Sequence, residues 1–264
     1  MTNIKRLLWQ ITVAIMFFSC ISPKSTIYMQ DKSANKNYTN VYSKATVVTE
    51  KYKIQTNDYI YIRVITDNEK ISTYYNLSSG NNNSMNSTMM QGQSGTKFMS
   101  YLVDDKGEID FPSLGKIPVK GLTRSEVKQK INDILKTQID NFTLVVELTN
   151  TYFTILGEAH AGNYQMSKDQ ITIYEAIAMS GDLSIYSKRK KIKIIRHTID
   201  GTSLVKTIDL TDKNLLDSEE SYIYPNDIIY VEPIKAKIFG FGETFSLGMV
   251  TSLISFYLLF RAIK

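Results

Sequence analysis

Cys20 is the only cysteine of the chain. No intramolecular disulfide can therefore hold any part of it together, and each domain must rest on its own apolar core. The same residue closes a largely apolar, uncharged run, residues 7–18, that follows the basic pair Lys5 and Arg6. As a helix this run would reach only ~18 Å at ~1.5 Å per residue, short of a bilayer's ~30 Å hydrocarbon core. A basic start, a short apolar run and a small residue, Ser19, read as a secretory signal peptide over residues 1–19. Apolar residues make up 43% of the sequence and charged residues 22%, so most of the remaining chain has the means to fold. The net charge of +5 is spread in both signs. No basic stripe is interleaved with stacking aromatics, so no nucleic-acid partner is expected.

Residues 20–46 are rich in Ser, Asn, Lys and Tyr without a sustained period of 2 or 3.6, and are read as a tether without assigned structure. From 47 to 66 the chain is extended, with Ile60, Ile62 and Val64 alternating as a half-buried strand requires. Residues 76–96 collapse into Asn, Ser, Gly and Gln, and are expected to be a mobile insert. Tyr101–Val103 and Glu108–Phe111 flank Asp104-Asp105-Lys106-Gly107, an expected hairpin. Thr123 and Glu126 fit a capping box ahead of Val127, Ile131, Ile134 and Leu135 at helical spacing. Phe142, Leu144, Val146 and Leu148 alternate as a strand. Residues 47–150 thus read as a small mixed α/β domain.

A second domain, 151–233, opens with a strand ending at Gly157. Thr172 and Glu175 form a second capping box, and Gly181 is the expected residue just beyond the helix end. Residues 192–199 and 203–210 flank Asp200-Gly201, a strong hairpin signal. One helix among several strands suits a β-grasp arrangement, making the whole α+β. There is an internal echo. Asn57-Asp58 and Asn226-Asp227 each sit between β-rich runs, as structural turns in which Asx side chains bond nearby backbone. Residues 234–243 form a linker.

In order along the chain, these pieces resemble the bacterial polysaccharide export family. Residues 52–64 are similar to that domain's opening, with Asn57 where glycine is usual, a change that αL-tolerant Asn accommodates. Asp105 to Gly115 resembles its D-x-G-x-I-x-L-P-x-L-G segment, and Gly121-Leu122-Thr123 with Glu126 its helix start. Ile155-Leu156-Gly157-Glu158, Gly162-Asn163-Tyr164 and Glu175-Ala176-Ile177-Ala178 resemble a soluble-ligand-binding β-grasp module, with Gly181-Asp182 in place of its closing Gly-Gly. Residues around Cys20 resemble a lipobox, in which the cysteine is acylated and becomes the mature amino terminus. The resemblance implies a lipid-anchored outer-membrane lipoprotein with its main body in the periplasm. It further implies a homo-oligomeric ring, capsular polysaccharide or exopolysaccharide as cargo, and an inner-membrane co-polymerase or chain-length regulator as partner. The alternative is a periplasmic lipoprotein adaptor or carbohydrate-binding module without a pore.

No catalytic residue and no cofactor are expected. His160 and His197 lie in separate segments without cysteine or HxxH partners, which argues against a metal site. Gly240-Phe241-Gly242 lacks the context of a dinucleotide loop. Lys188, Arg189, Lys190 and Lys191 form a charge run, read either as a solvated loop or as a contact for an anionic polymer. Residues 244–260 carry no charge and span ~25 Å as a helix, which suits a thin outer membrane. On a helical wheel Thr244, Gly248, Thr251 and Ser255 share one stripe opposite the large apolar residues. A C-terminal membrane or amphipathic helix over 244–264, with that stripe lining a pore, is the expectation.

Overall fold

The computed structural model describes residues 23–31, 52–76, 99–149 and 151–238, with helical positions 252, 255, 257–259, 261 and 262 near the carboxyl end. The body has two separate hydrophobic cores, one drawn from residues 54–146 and one from 153–231. The parts of the chain around them are described below as the first and the second domain.

In the first domain, Tyr59–Ile65 (β1) buries Ile60, Ile62 and Val64, as its alternation requires. It lies between Ser100–Leu102 (β2) and Thr143–Leu148 (β5), antiparallel to both. Glu69–Tyr75 (α1) follows β1 and is capped by the Asn68 side chain. Arg124–Leu135 (α2) begins at the expected capping box and buries Val127, Ile131 and Leu135.

The expected hairpin around Asp104–Gly107 is corrected. Glu108–Phe111 (β3) pairs with Gly115–Pro118 (β4), and β2 pairs with β1 instead. Asp104 takes the amides of Lys106 and Glu108 on its side chain, and Gly107 sits at φ +81°. The Gly107 carbonyl then accepts the amides of Val119 and Lys120. That turn redirects the chain so that its strand returns on β4.

The second domain is built on a mixed five-stranded sheet. Its strands are Tyr152–Gly157 (β6), Gly162–Gln165 (β7), Ser187–His197 (β9), Ser203–Ile208 (β10) and Ile228–Pro233 (β12). The order is β10-β9-β12-β6-β7, with β12 parallel to β6 and the other pairs antiparallel. Ile171–Thr172 (β8) and Tyr222–Ile223 (β11) form a small separate ladder. Ile173–Met179 (α3) shares the core through Ile173, Ala176 and Ile177. Its end is a Schellman motif. Gly181 at φ +85° donates to Ala178 O at 3.1 Å, and Asp182 donates to Ile177 O at 3.1 Å. A last short helix, Lys235–Ile238 (α4), follows β12.

The tether differs from its expectation. Residues 23–31 lie against the second domain, with Met29 and Gln30 donating to Leu210 O and Thr211 O. Individual side chains rather than a period hold them. The expected insert at 76–96, apart from Asn76, lies outside the described residues. No helix among the described residues is long and apolar enough to cross a membrane. Thr244, Gly248 and Thr251 lie outside them, while Ser255 is helical and exposed.

At Gly157 the backbone of β12 lies close against β6. Its φ is +94°, and a Cβ there would lie 2.1 Å from the Val231 carbonyl oxygen. Gly157→Ala should therefore cost about 3 kcal/mol or more in urea unfolding. At Gly162 the same atom would meet the Tyr164 ring at 3.6 Å. Gly162→Ala should stay within about 0.5 kcal/mol of the parent. Equal losses at both positions would show that the close backbone approach is not what requires glycine.

Candidate functional site

The two Asn-Asp turns are the same structure twice. In each, Asn adopts φ +68° at the third turn position, a left-handed geometry that Asn tolerates. The Asp that follows donates its amide back across the turn, Asp58 to Gln55 O and Asp227 to Tyr224 O. Its side chain then takes the amide of that same first residue, Gln55 N at 2.8 Å and Tyr224 N at 2.9 Å. Both aspartates are buried. Asp58 is further satisfied by the Tyr52 hydroxyl at 2.8 Å. Asp227 is gripped by Arg196, whose Nε and Nη2 donate at 2.8 and 2.7 Å. The Arg196 guanidinium also lies 4.2 Å from the Tyr224 ring centre.

These turns touch. Asn226 Nδ2 donates to the Tyr52 hydroxyl at 3.3 Å and lies 3.5 Å from Asp58 Oδ1. Gln55 Nε2 donates to His197 O at 3.2 Å. Burial pushes the Tyr52 phenol far above its ordinary value, and the Asp58 charge adds to the shift. The sequence echo indicated two similar turns; nothing in it indicated that they form the joint between domains.

Beside this joint lies an open cleft of about 900 Å³. Tyr52, Arg124 and Glu147 line it from the first domain, and Gln165, Asp169 and Glu175 from the second. Arg124, at the first turn of α2, bridges the two sides, reaching Glu147 at 2.6 Å and Asp169 at 2.8 Å. Lys168 pairs with Glu175 at 3.3 Å. Two cations thus face three carboxylates. The capping boxes at Thr123/Glu126 and Thr172/Glu175 also meet each helix start with its own glutamate. The Thr172 amide holds the Glu175 carboxyl below its ordinary range. This cleft does not suit a polyanion. Its paired charges, amides and hydroxyls suit an uncharged, hydroxyl-rich ligand.

The charge run at 188–191 is not a loop but the start of β9, and its residues part company there. Arg189 is buried, donating to Leu183 O at 3.1 Å and lying 5.0 Å from the Tyr28 ring centre. Lys188 and Lys193 both pair with Glu232, at 3.2 and 2.6 Å. Their ammonium groups, Lys193 first, hold that carboxyl below its usual range. Lys190 and Lys191 are exposed. His197 Nδ1 lies 2.9 Å from Ser203 Oγ, and His160 accepts the Tyr164 hydroxyl on its carbonyl. Among the described residues no group of His, Cys, Asp and Glu is placed to hold a metal ion. Cys20 lies outside the described residues.

Residues 46–149 match the family model of polysaccharide biosynthesis/export proteins, and the match ends where the first domain ends. No curated protein matches the chain.

Two outcomes follow from the joint. Removing one partner of a buried bidentate pair strands the other, so Asp227→Ala should cost about 3–5 kcal/mol in chemical unfolding. Because the folded Tyr52 phenol ionises well above the ordinary 10.0, its contribution is complete below that pH and falls as pH rises beyond it. The stability difference between the parent and Tyr52→Phe should be constant up to about pH 9 and shrink above about pH 10. A difference that stays flat to about pH 11 would show an ordinary phenol.

Proposed function

We propose that this chain, whose residues 46–149 are a polysaccharide biosynthesis/export domain, is a component of polysaccharide export that works as a lipid-anchored outer-membrane conduit. That domain's family membership is the observation that carries the reading. In this account Cys20 is acylated after removal of residues 1–19, and the body stands in the periplasm. Copies of the chain close into a ring through which capsular polysaccharide or exopolysaccharide passes. An inner-membrane co-polymerase or chain-length regulator delivers the chain to it. The second domain, with α3 packed in the core of a mixed sheet, serves as a β-grasp ligand-binding module. The work is passive transport, not catalysis.

The stripe Thr244, Gly248, Thr251 and Ser255 faces the lumen of a C-terminal helical barrel, where small residues permit close helix approach. Lys190 and Lys191, exposed on β9, remain to meet an acidic polymer; Lys188 and Arg189 are engaged within the domain. The cleft beside Arg124 supports a second reading, a carbohydrate-binding adaptor without a pore, because its lining fits sugar hydroxyls as well as a moving chain would require.

Single cysteines at Thr251, Ser255 and Leu253 in the acylated protein separate the two readings. A water-soluble thiol reagent should modify the first two positions and spare the third. Equal modification of all three would remove the pore and leave the adaptor.

A further inference from the structure

The five-stranded sheet of the second domain ends in two strands that have no second partner strand among the described residues, β10 on one side and β7 on the other. Sheets commonly blunt such edges with charge, proline or a bulge, because a line of unmet amides and carbonyls is a template for another strand. These two edges are barely blunted. β7 reads Gly-Asn-Tyr-Gln, without charge or proline, and β10 reads Ser-Leu-Val-Lys-Thr-Ile, with one lysine. Leu204 and Val205 point to opposite faces of β10 and are 50% and 59% exposed. There the domain's own core covers the strand on neither face.

The two edges match in direction. β10 is antiparallel to β9 and β9 to β12, so β10 runs with β12. β6 also runs with β12, and β7 runs against β6. β10 and β7 therefore run in opposite directions. Two copies standing side by side, the same way up, would bring β7 of one antiparallel to β10 of the next.

The edges also match in height. One line of paired residues crosses the sheet through Asn163, Thr154, Ile228, Ile195 and Val205. The next line starts at Gly162 and ends at Lys206. Asn163 is thus level with Val205, and Lys206 falls opposite a residue without a side chain. One step along each strand makes Tyr164 level with Leu204. Both lie on the core side of the sheet, Tyr164 opposite Phe153 and Leu204 opposite Arg196. The Tyr164 ring stacks on Phe153 at 5.6 Å between centres, and the His160 carbonyl holds its hydroxyl. It is a fixed, half-buried platform level with an exposed leucine.

We propose that β7 of one copy of this chain pairs antiparallel with β10 of the next, so that the second-domain sheets continue from copy to copy. Backbone hydrogen bonds join the edges, and Leu204 packs on the Tyr164 ring of the neighbour. The contact uses two different surfaces of the chain and is therefore head-to-tail. A head-to-tail contact builds a filament when it carries a rise and can close when it does not. The level lines carry no rise along the strands, so the copies close about an axis lying along them. The inference rests on the ring in the proposed function and adds the surface that makes it.

Cysteine pairs in the full-length protein test it. Within one chain β7 and β10 stand four strand spacings apart, about 19 Å, whereas a disulfide needs Cα atoms within ~7 Å. A disulfide between the two edges therefore joins two copies. Asn163→Cys is combined in turn with Ser203→Cys, Val205→Cys and Thr207→Cys, which cover neighbouring registers on one face. Oxidation of the Asn163→Cys/Val205→Cys chain should give a ladder of covalent oligomers, several-fold above either single variant and the parent with Cys20 alone. Leu204→Lys, with the melt checked alongside, should lower the assembled fraction several-fold in sedimentation. No ladder from any of the three pairings, in a parent that sediments as an oligomer, overturns the edge pairing and leaves the ring standing. A parent that sediments as a monomer overturns both. Dimers from Val205→Cys alone, without a ladder from the pairs, overturn the head-to-tail contact in favour of a two-fold one. A ladder with assembly unchanged by Leu204→Lys overturns the leucine–tyrosine contact.

Discussion

Asp227 has no contact with solvent, and its two carboxylate oxygens are shared between the Arg196 guanidinium and the Tyr224 amide. A buried carboxylate is costly unless its acceptor sites are answered, and here the answering groups come from Arg196 of β9 and the Tyr224 amide of the turn. The backbone carbonyl of the same residue receives the Thr154 amide at the start of β6. The central strands of the second sheet thus meet at one residue, Asp227, through its side chain and its backbone. Asp58 does the corresponding work in the first domain, where its carbonyl receives the Val103 amide and its carboxylate receives Tyr52. Because Asn226 reaches both Tyr52 and Asp58, the two turns also set how the domains meet. The cleft at Arg124, lined from both domains, follows from that meeting.

Much of this was legible in the sequence. The spacing of Ile60, Ile62 and Val64, the two Thr-x-x-Glu boxes and the Asp200-Gly201 turn rest on local chemistry, and local chemistry survives in the fold. Asn57 accepted left-handed geometry where a glycine is usual. The misplaced hairpin after Val103 has a different origin. Its turn residues were identified, but the partner of β3 depends on the Gly107 carbonyl binding Val119 and Lys120, a contact no window of neighbours reveals. Arg189 illustrates the same limit. Four consecutive basic residues look like a solvated face, yet strand alternation turns one of them inward, where the Leu183 carbonyl and the Tyr28 ring receive it. The docking of residues 23–31 was invisible for a related reason, since one tyrosine and two amides carry no period.

The charges of the molecule bear on the kind of chain it can handle. Around the cleft each cation is already bound to a carboxylate, and on β9 Glu232 neutralises Lys188 and Lys193. A cleft arranged this way offers a hydroxyl-compatible lining rather than a strong local positive field. Of the run at 188–191, Lys190 and Lys191 are the two left exposed.

The central claim is that the protein moves polysaccharide to the cell surface. Deleting its gene and quantifying polysaccharide in surface and periplasmic fractions tests that claim most directly. The account predicts loss from the surface with accumulation in the periplasm, restored by the intact gene. Surface polysaccharide that is unchanged by the deletion would contradict it.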